Sequence, residues 1–118
     1  MIRDLIIGGN YKDEHLNIDA ILVNPAEHDR DDNVLLFEIR ITTPDIPVLK
    51  INEWVFYLMD GNNRIYNAID YTELPRDDIS KMTVIAAYNF RPEFLYNEIR
   101  IGFLYKEYAC IEFFEIGH

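Results

Sequence analysis

A chain of 118 residues that is 49% hydrophobic and 14% aromatic is the size of one domain, 1–118, with one core, and its composition excludes disorder. Its 21 acidic and 11 basic residues leave a net charge of −10, which repels phosphate backbones and anionic membrane surfaces and argues against direct nucleic-acid binding. Cys110 is the single cysteine, so no internal disulfide forms, and a reducing compartment is favoured.

The opening run from Met1 to Gly9 holds no apolar stretch long enough for a signal peptide, and Asp4 interrupts it. No window approaches the roughly 20 apolar residues of a membrane helix, so the expected location is cytoplasmic. Leu5 to Ile7 is a short apolar run that Gly8-Gly9-Asn10 should stop. His15 to Asn24 alternates at Leu16, Ile18 and Ala20, and then Ile21-Leu22-Val23 breaks step, as a bulge would. The stretch Asn17 to Pro25 resembles the strand-then-Asn-Pro pattern of water-stress β-sandwich domains over these few residues, and no function is carried over from it.

Val34 to Thr42 is the cleanest strand, with Leu35, Phe37, Ile39 and Ile41 on one side. Thr43 to Pro47 carries two prolines and is excluded from a central strand. Ile51 to Met59 resumes alternation but is apolar on both sides, as a strand covered on both faces would be. Asp60-Gly61-Asn62-Asn63 is a hairpin turn, because Gly and Asn tolerate positive φ, and Arg64 to Tyr71 should be the returning strand. Thr72 to Ser80 reads as a loop, and Lys81 to Phe90 as a further strand.

Phe94 to Tyr105 and Tyr108 to Ile116 close the chain as a hairpin. A three-residue loop would place Phe103 opposite Ile111 and Ile101 opposite Phe113, keeping the apolar set on one face. Seven to eight strands with frequent turns predict an all-β fold, an antiparallel β-sandwich of immunoglobulin-like type, with a small β-barrel as the alternative.

The loop Glu27 to Asn33 concentrates carboxylates, and Asp29, Asp31 and Asp32 could supply oxygen ligands to calcium, joined by Asp77 and Asp78 if the loops share an end. A solvated loop is the ordinary use of such a run, and the EF-hand pattern is missing. His15, His28 and His118 have no zinc spacing, and neither Ser80 nor Cys110 sits in a nucleophile elbow. Paired carboxylates for a small enzyme could be drawn from any acidic chain, so an enzyme is the minority reading. Aromatics exceed what one sheet face needs, and Trp54, Tyr57, Tyr108 and Phe114 are the candidate interaction surface, for a protein partner or for a homodimer. The expected function is a non-enzymatic acidic domain, without cofactor, that binds a protein, in particular a basic one, as an inhibitor or immunity-like protein does. A calcium-dependent ligand-binding module is the alternative.

Overall fold

Leu35, Phe37, Ile39 and Ile41 are all completely buried, and the strand that carries them, β3 (Val34–Thr42), lies at the centre of a sheet. The computed structural model describes residues 8–23, 34–46, 48–89 and 99–105, together with the backbone course of 111–116. Around β3 a five-stranded sheet runs in the order β1-β2-β3-β7-β6, with β1 Gly8–Lys12, β2 Asn17–Leu22, β6 Asp70–Glu73 and β7 Lys81–Asn89. The second sheet has the order β5-β4-β8-β9, with β4 Trp54–Met59, β5 Ile65–Asn67, β8 Ile99–Tyr105 and β9 Ile111–Ile116. Every pairing is antiparallel, and the fold is an all-β sandwich.

Alternation builds the core. Ile18, Ala20 and Leu22 of β2, Met82, Val84, Ala86 and Tyr88 of β7, Trp54, Phe56 and Leu58 of β4, and Ile99, Ile101, Phe103 and Tyr105 of β8 all turn inward. Large side chains sit beside small ones across the strands: Phe37 lies opposite Ala86, and its ring meets Tyr88 edge-on at 5.9 Å. At one edge β1 lies against β9, and Tyr11 meets Phe103 edge-on at 5.1 Å.

Several boundaries differ from the sequence reading. Gly8-Gly9-Asn10 does not stop a strand but belongs to one, pairing with Ile21, Ala20 and Asp19. A Cβ on Gly8 would lie 3.2 Å from the Ala20 carbonyl oxygen, so the glycine serves close strand approach rather than a turn. β2 keeps step on both sides and has no bulge, and Ile21 simply takes its place on the outer face opposite Glu38. Ile51–Glu53 is a 3-10 turn ahead of β4, closed by a hydrogen bond from the Glu53 N–H to the Lys50 carbonyl at 3.1 Å.

The returning strand is the largest difference. β5 pairs with β4 only from Met59↔Ile65 to Tyr57↔Asn67, after which the chain crosses to the other sheet as β6. Phe56, the next residue along β4, therefore loses its strand neighbour on that side. The Tyr71 hydroxyl replaces that neighbour: it accepts the Phe56 N–H at 2.9 Å and donates to the Phe56 carbonyl at 3.1 Å. Tyr88, from the same opposite sheet, donates to that carbonyl at 2.8 Å.

The closing hairpin has a different register from the expected one. Ile99 opposes Ile116, Ile101 opposes Phe114, and Phe103 opposes Glu112. The stretch 111–116 carries apolar residues at both parities, so hydrophobicity cannot choose between neighbouring registers: the observed one pairs Ile99 with Ile116 and Ile101 with Phe114 and sets Glu112 opposite Phe103, and the expected one has as many apolar pairs on that face.

Because, among the described residues, the Phe56 N–H has Tyr71 as its acceptor while its carbonyl has two tyrosine donors, the two tyrosines are not equivalent. Tyr71→Phe should lower unfolding free energy by about 2 kcal/mol, the scale of a buried donor left unpaired, and Tyr88→Phe by about 1 kcal/mol or less. Urea unfolding of both variants checks the order.

Candidate functional site

Asp29, Asp31, Asp32 and Tyr108 lie outside the described residues, and Phe114 is placed only by its backbone, opposite Ile101. Trp54 does not belong to a surface: it is 3% exposed, stacked on Phe56 at 5.8 Å and packed on Tyr105 at 4.4 Å. Its parity on β4 decides this, because Trp54, Phe56 and Leu58 must share a face and that face is the core. Among the described residues its indole Nε1 is buried with no acceptor.

Tyr57 does face outward, half-buried, between Val55 and Met59. Register brings Leu104 beside Val55, Gly102 beside Tyr57 and Arg100 beside Met59 from β8, and Ile65 beside Met59 from β5. Ile65 is 52% exposed. The described side chains Val55, Tyr57, Met59, Ile65 and Leu104 thus form a mainly apolar strip on this outer face, bordered by Asn67 beside Tyr57 and by Arg100 at one end, with Glu115 at the register position opposite Arg100 on β9. Gly102 presents no side chain next to Tyr57, which leaves the phenol ring room to lie along β8.

The hairpin that aims Met59 and Ile65 is built on Asp60. This carboxylate is 2% exposed and accepts the N–H groups of Asn62 at 2.9 Å and Arg64 at 3.0 Å, and the Tyr66 hydroxyl at 2.9 Å. Burial pushes its pKa up, but the Arg64 amide, the Tyr66 hydroxyl, the Asn62 amide and the Arg64 charge outweigh burial and hold it below the usual carboxylate value. Tyr66 moves the other way, raised by burial and then by the neighbouring carboxylate. Asn63 completes the reversal at φ 64° and accepts the Arg100 guanidinium at 2.5 Å, tying the turn to β8.

At the second place considered from sequence, the loop between β6 and β7, Asp78 and Arg76 are committed to local partners, and Asp77 lines the depression beside them. Asp78 accepts the N–H and hydroxyl of Ser80 at 2.9 and 2.7 Å, and those bonds lower its pKa. Arg76 grips Glu73 at 2.7 and 2.5 Å and donates to the Ile79 carbonyl at 3.2 Å. Pro75, Arg76, Asp77, Asp78, Lys81 and Thr83 line a shallow depression of about 250 Å³ there. Among the described residues no group of three His, Cys, Asp or Glu side chains could hold a metal ion, and no helix is long and apolar enough to cross a membrane.

The two-sided apolar run of β4 pointed to the outward strip before any geometry was known. Ile65, Arg100 and Leu104 were not singled out, because only strand pairing brings them beside Met59 and Val55. Comparison with protein-family models, with curated proteins and with solved structures finds no match.

Asp60 links acid stability to the hairpin. A carboxyl whose folded pKa is depressed stabilises above its unfolded value and loses that contribution as pH falls through the folded value. Asp60→Asn should therefore be less stable than wild type by about 2 kcal/mol at neutral pH, the scale of hydrogen bonds to a charged group. The two stability curves should converge below the ordinary value of 3.8, as measured by urea unfolding across the acid range.

Proposed function

We propose that the protein is a non-enzymatic interaction domain that binds a basic protein partner through the outer face of β5, β4 and β8. The observation that carries this reading is the composition of the outward strip. Val55, Tyr57, Met59, Ile65 and Leu104 gather on one sheet face, bordered by Asn67 and Arg100 and with no carboxylate among the described side chains, in a chain of net charge −10. Interface centres are depleted of charge and enriched in Tyr and Met, whereas a solvent-facing sheet alternates apolar with polar. The net negative charge of the chain would speed encounter with a basic partner and make association salt-dependent. Capture of a basic enzyme by an inhibitor or immunity-like protein fits this division of labour.

An immunoglobulin-like arrangement supports the same reading. The orders β2-β3-β7-β6 and β5-β4-β8-β9 parallel the A-B-E-D and C′-C-F-G sheets of such sandwiches, with β1 as an added edge strand. The structural causes of several displaced pKa values fit non-enzymatic action, while His15, Asp13 and Tyr66 are displaced as well by hydrogen bonds, neighbouring charge and burial. Asp60 and Asp78 are held down by turn amides and hydroxyls, and Tyr71 and Tyr88 are raised by burial in the sandwich. None of these groups lines the 250 Å³ depression except Asp78, whose carboxylate is occupied by Ser80.

Cross-linked capture of partners by the tagged wild-type chain and by a Tyr57→Arg variant tests the reading. A basic protein should be retained at low salt, released as salt rises, and bound at least about tenfold more weakly by the variant, the loss expected of a central interface residue. Circular dichroism establishes that the variant remains folded. A partner bound equally by both chains, or retained regardless of salt, overturns the proposal.

A further inference from the structure

We propose that His15, as an imidazolium, is a pH-sensitive latch that ties the turn between β1 and β2 to the connection between β3 and β4. The turn is short and closed on itself. The Asp13 N–H donates to the Leu16 carbonyl at 2.9 Å, the His15 N–H donates to Asp13 Oδ1 at 2.8 Å, and the Tyr11 hydroxyl donates to Asp13 Oδ2 at 2.9 Å. Two contacts then join this turn to the β3–β4 connection. The buried Thr43 hydroxyl donates to the His15 carbonyl at 2.6 Å, and His15 Nδ1 lies 2.5 Å from Asp45 Oδ2. The Asp45 N–H reaches back to the Thr43 hydroxyl at 3.2 Å, so the connection is shaped around the same point.

The imidazolium state follows from the ring's surroundings. Nδ1 faces Asp45, and Nε2 lies 3.2 Å from Glu14 Oε1. A carboxylate only accepts hydrogen bonds, and a neutral imidazole has one N–H. Both nitrogens can face carboxylates favourably only when both carry a proton. The charged groups that act on the ring are Asp45 from the connection and Glu14 and Asp13 from its own turn, all of one sign. The hydrogen bond to Asp45, the largest influence, raises the His15 pKa above its ordinary value of 6.5, and the negative charges of Asp45, Glu14 and Asp13 act in the same direction.

The sign sets the window. A folded pKa raised above the unfolded value stabilises fully below 6.5 and loses its contribution as pH rises through the folded pKa. Loss of the proton leaves one N–H for two carboxylates, so the ion pair between turn and connection is lost and at most a weaker, neutral hydrogen bond to Asp45 remains. The Thr43 hydroxyl bond does not titrate and remains, so the latch modulates opening of the turn rather than unfolding the strands. Its consequence reaches the core edge through Asp13 and Tyr11, whose ring packs on Phe103 of the opposite sheet.

Two NMR measurements on the full chain test the latch: the titration of the His15 ring, and hydrogen-exchange protection factors of the amides from Asp13 to Leu16 and at Asp45 across the same pH range. The expected result is a His15 midpoint above 6.5, with protection falling severalfold across that midpoint. Asp45→Asn should move the midpoint down, and His15→Gln should make protection independent of pH. A midpoint at or below 6.5, or protection that ignores the titration in wild type, overturns the proposal.

Discussion

The sandwich depends on how β4 is completed at Phe56. A strand inside a sheet needs a neighbour on each side, because a buried N–H or carbonyl without a partner costs about 1–3 kcal/mol. β5 provides that neighbour for only three positions before the chain leaves for the other sheet. Tyr71, on the strand that left, sends its hydroxyl back to the N–H and carbonyl of Phe56, and Tyr88 adds a second donor. One element thus closes both sheets: its backbone extends the five-stranded sheet, and its side chain completes the four-stranded one. Burial raises the pKa of both phenols, so each stays a neutral donor throughout the physiological range.

How much of this was legible depended on periodicity. β3 and β7 could be read closely because inward and outward residues differ in kind along them. The crossover could not be read, because Arg64 to Tyr71 alternates acceptably as a single strand and carries no Gly or Pro to mark the break. What divides it is tertiary: Tyr71 finds hydrogen-bond partners only if β6 lies in the opposite sheet. The register of the closing hairpin failed for a related reason. Residues 111–116 are apolar at both parities, so the rule that register follows the buried face had nothing to act on.

The candidate site was legible as a strand but not as a surface. The apolar character of both sides of β4 identified the right element, while the choice of Trp54 as an exposed residue took the wrong parity. Size and aromaticity favour Trp at interfaces and in cores alike, and here the ring is stacked among Phe56, Phe103 and Tyr105. Asp60 was read as part of a turn, correctly, but its buried carboxylate needed Tyr66 six residues on, and only the folded hairpin brings them within 2.9 Å.

What favours a partner on the four-stranded sheet is the contrast with the other one. Both sheets share one core and both have an outer face, so β-propensity and core filling act on them alike. On the five-stranded sheet the outer positions Ile21, Leu36, Ile85 and Ala87 are interspersed with Asp19, Glu38, Arg40, Thr42 and Thr83, and Arg40 is held by Glu38 at 2.8 Å, as a solvated face requires. On the described part of the four-stranded sheet the equivalent positions are Val55, Tyr57, Met59, Ile65 and Leu104, with Gly102 beside Tyr57 and with Asn67 and Arg100 at the borders. The first face mixes apolar with charged side chains, whereas the described strip of the second is mainly apolar. A chain with 21 acidic residues does not lack carboxylates, so a strip whose described side chains include none is the kind of surface that the proposed contact with another protein would use.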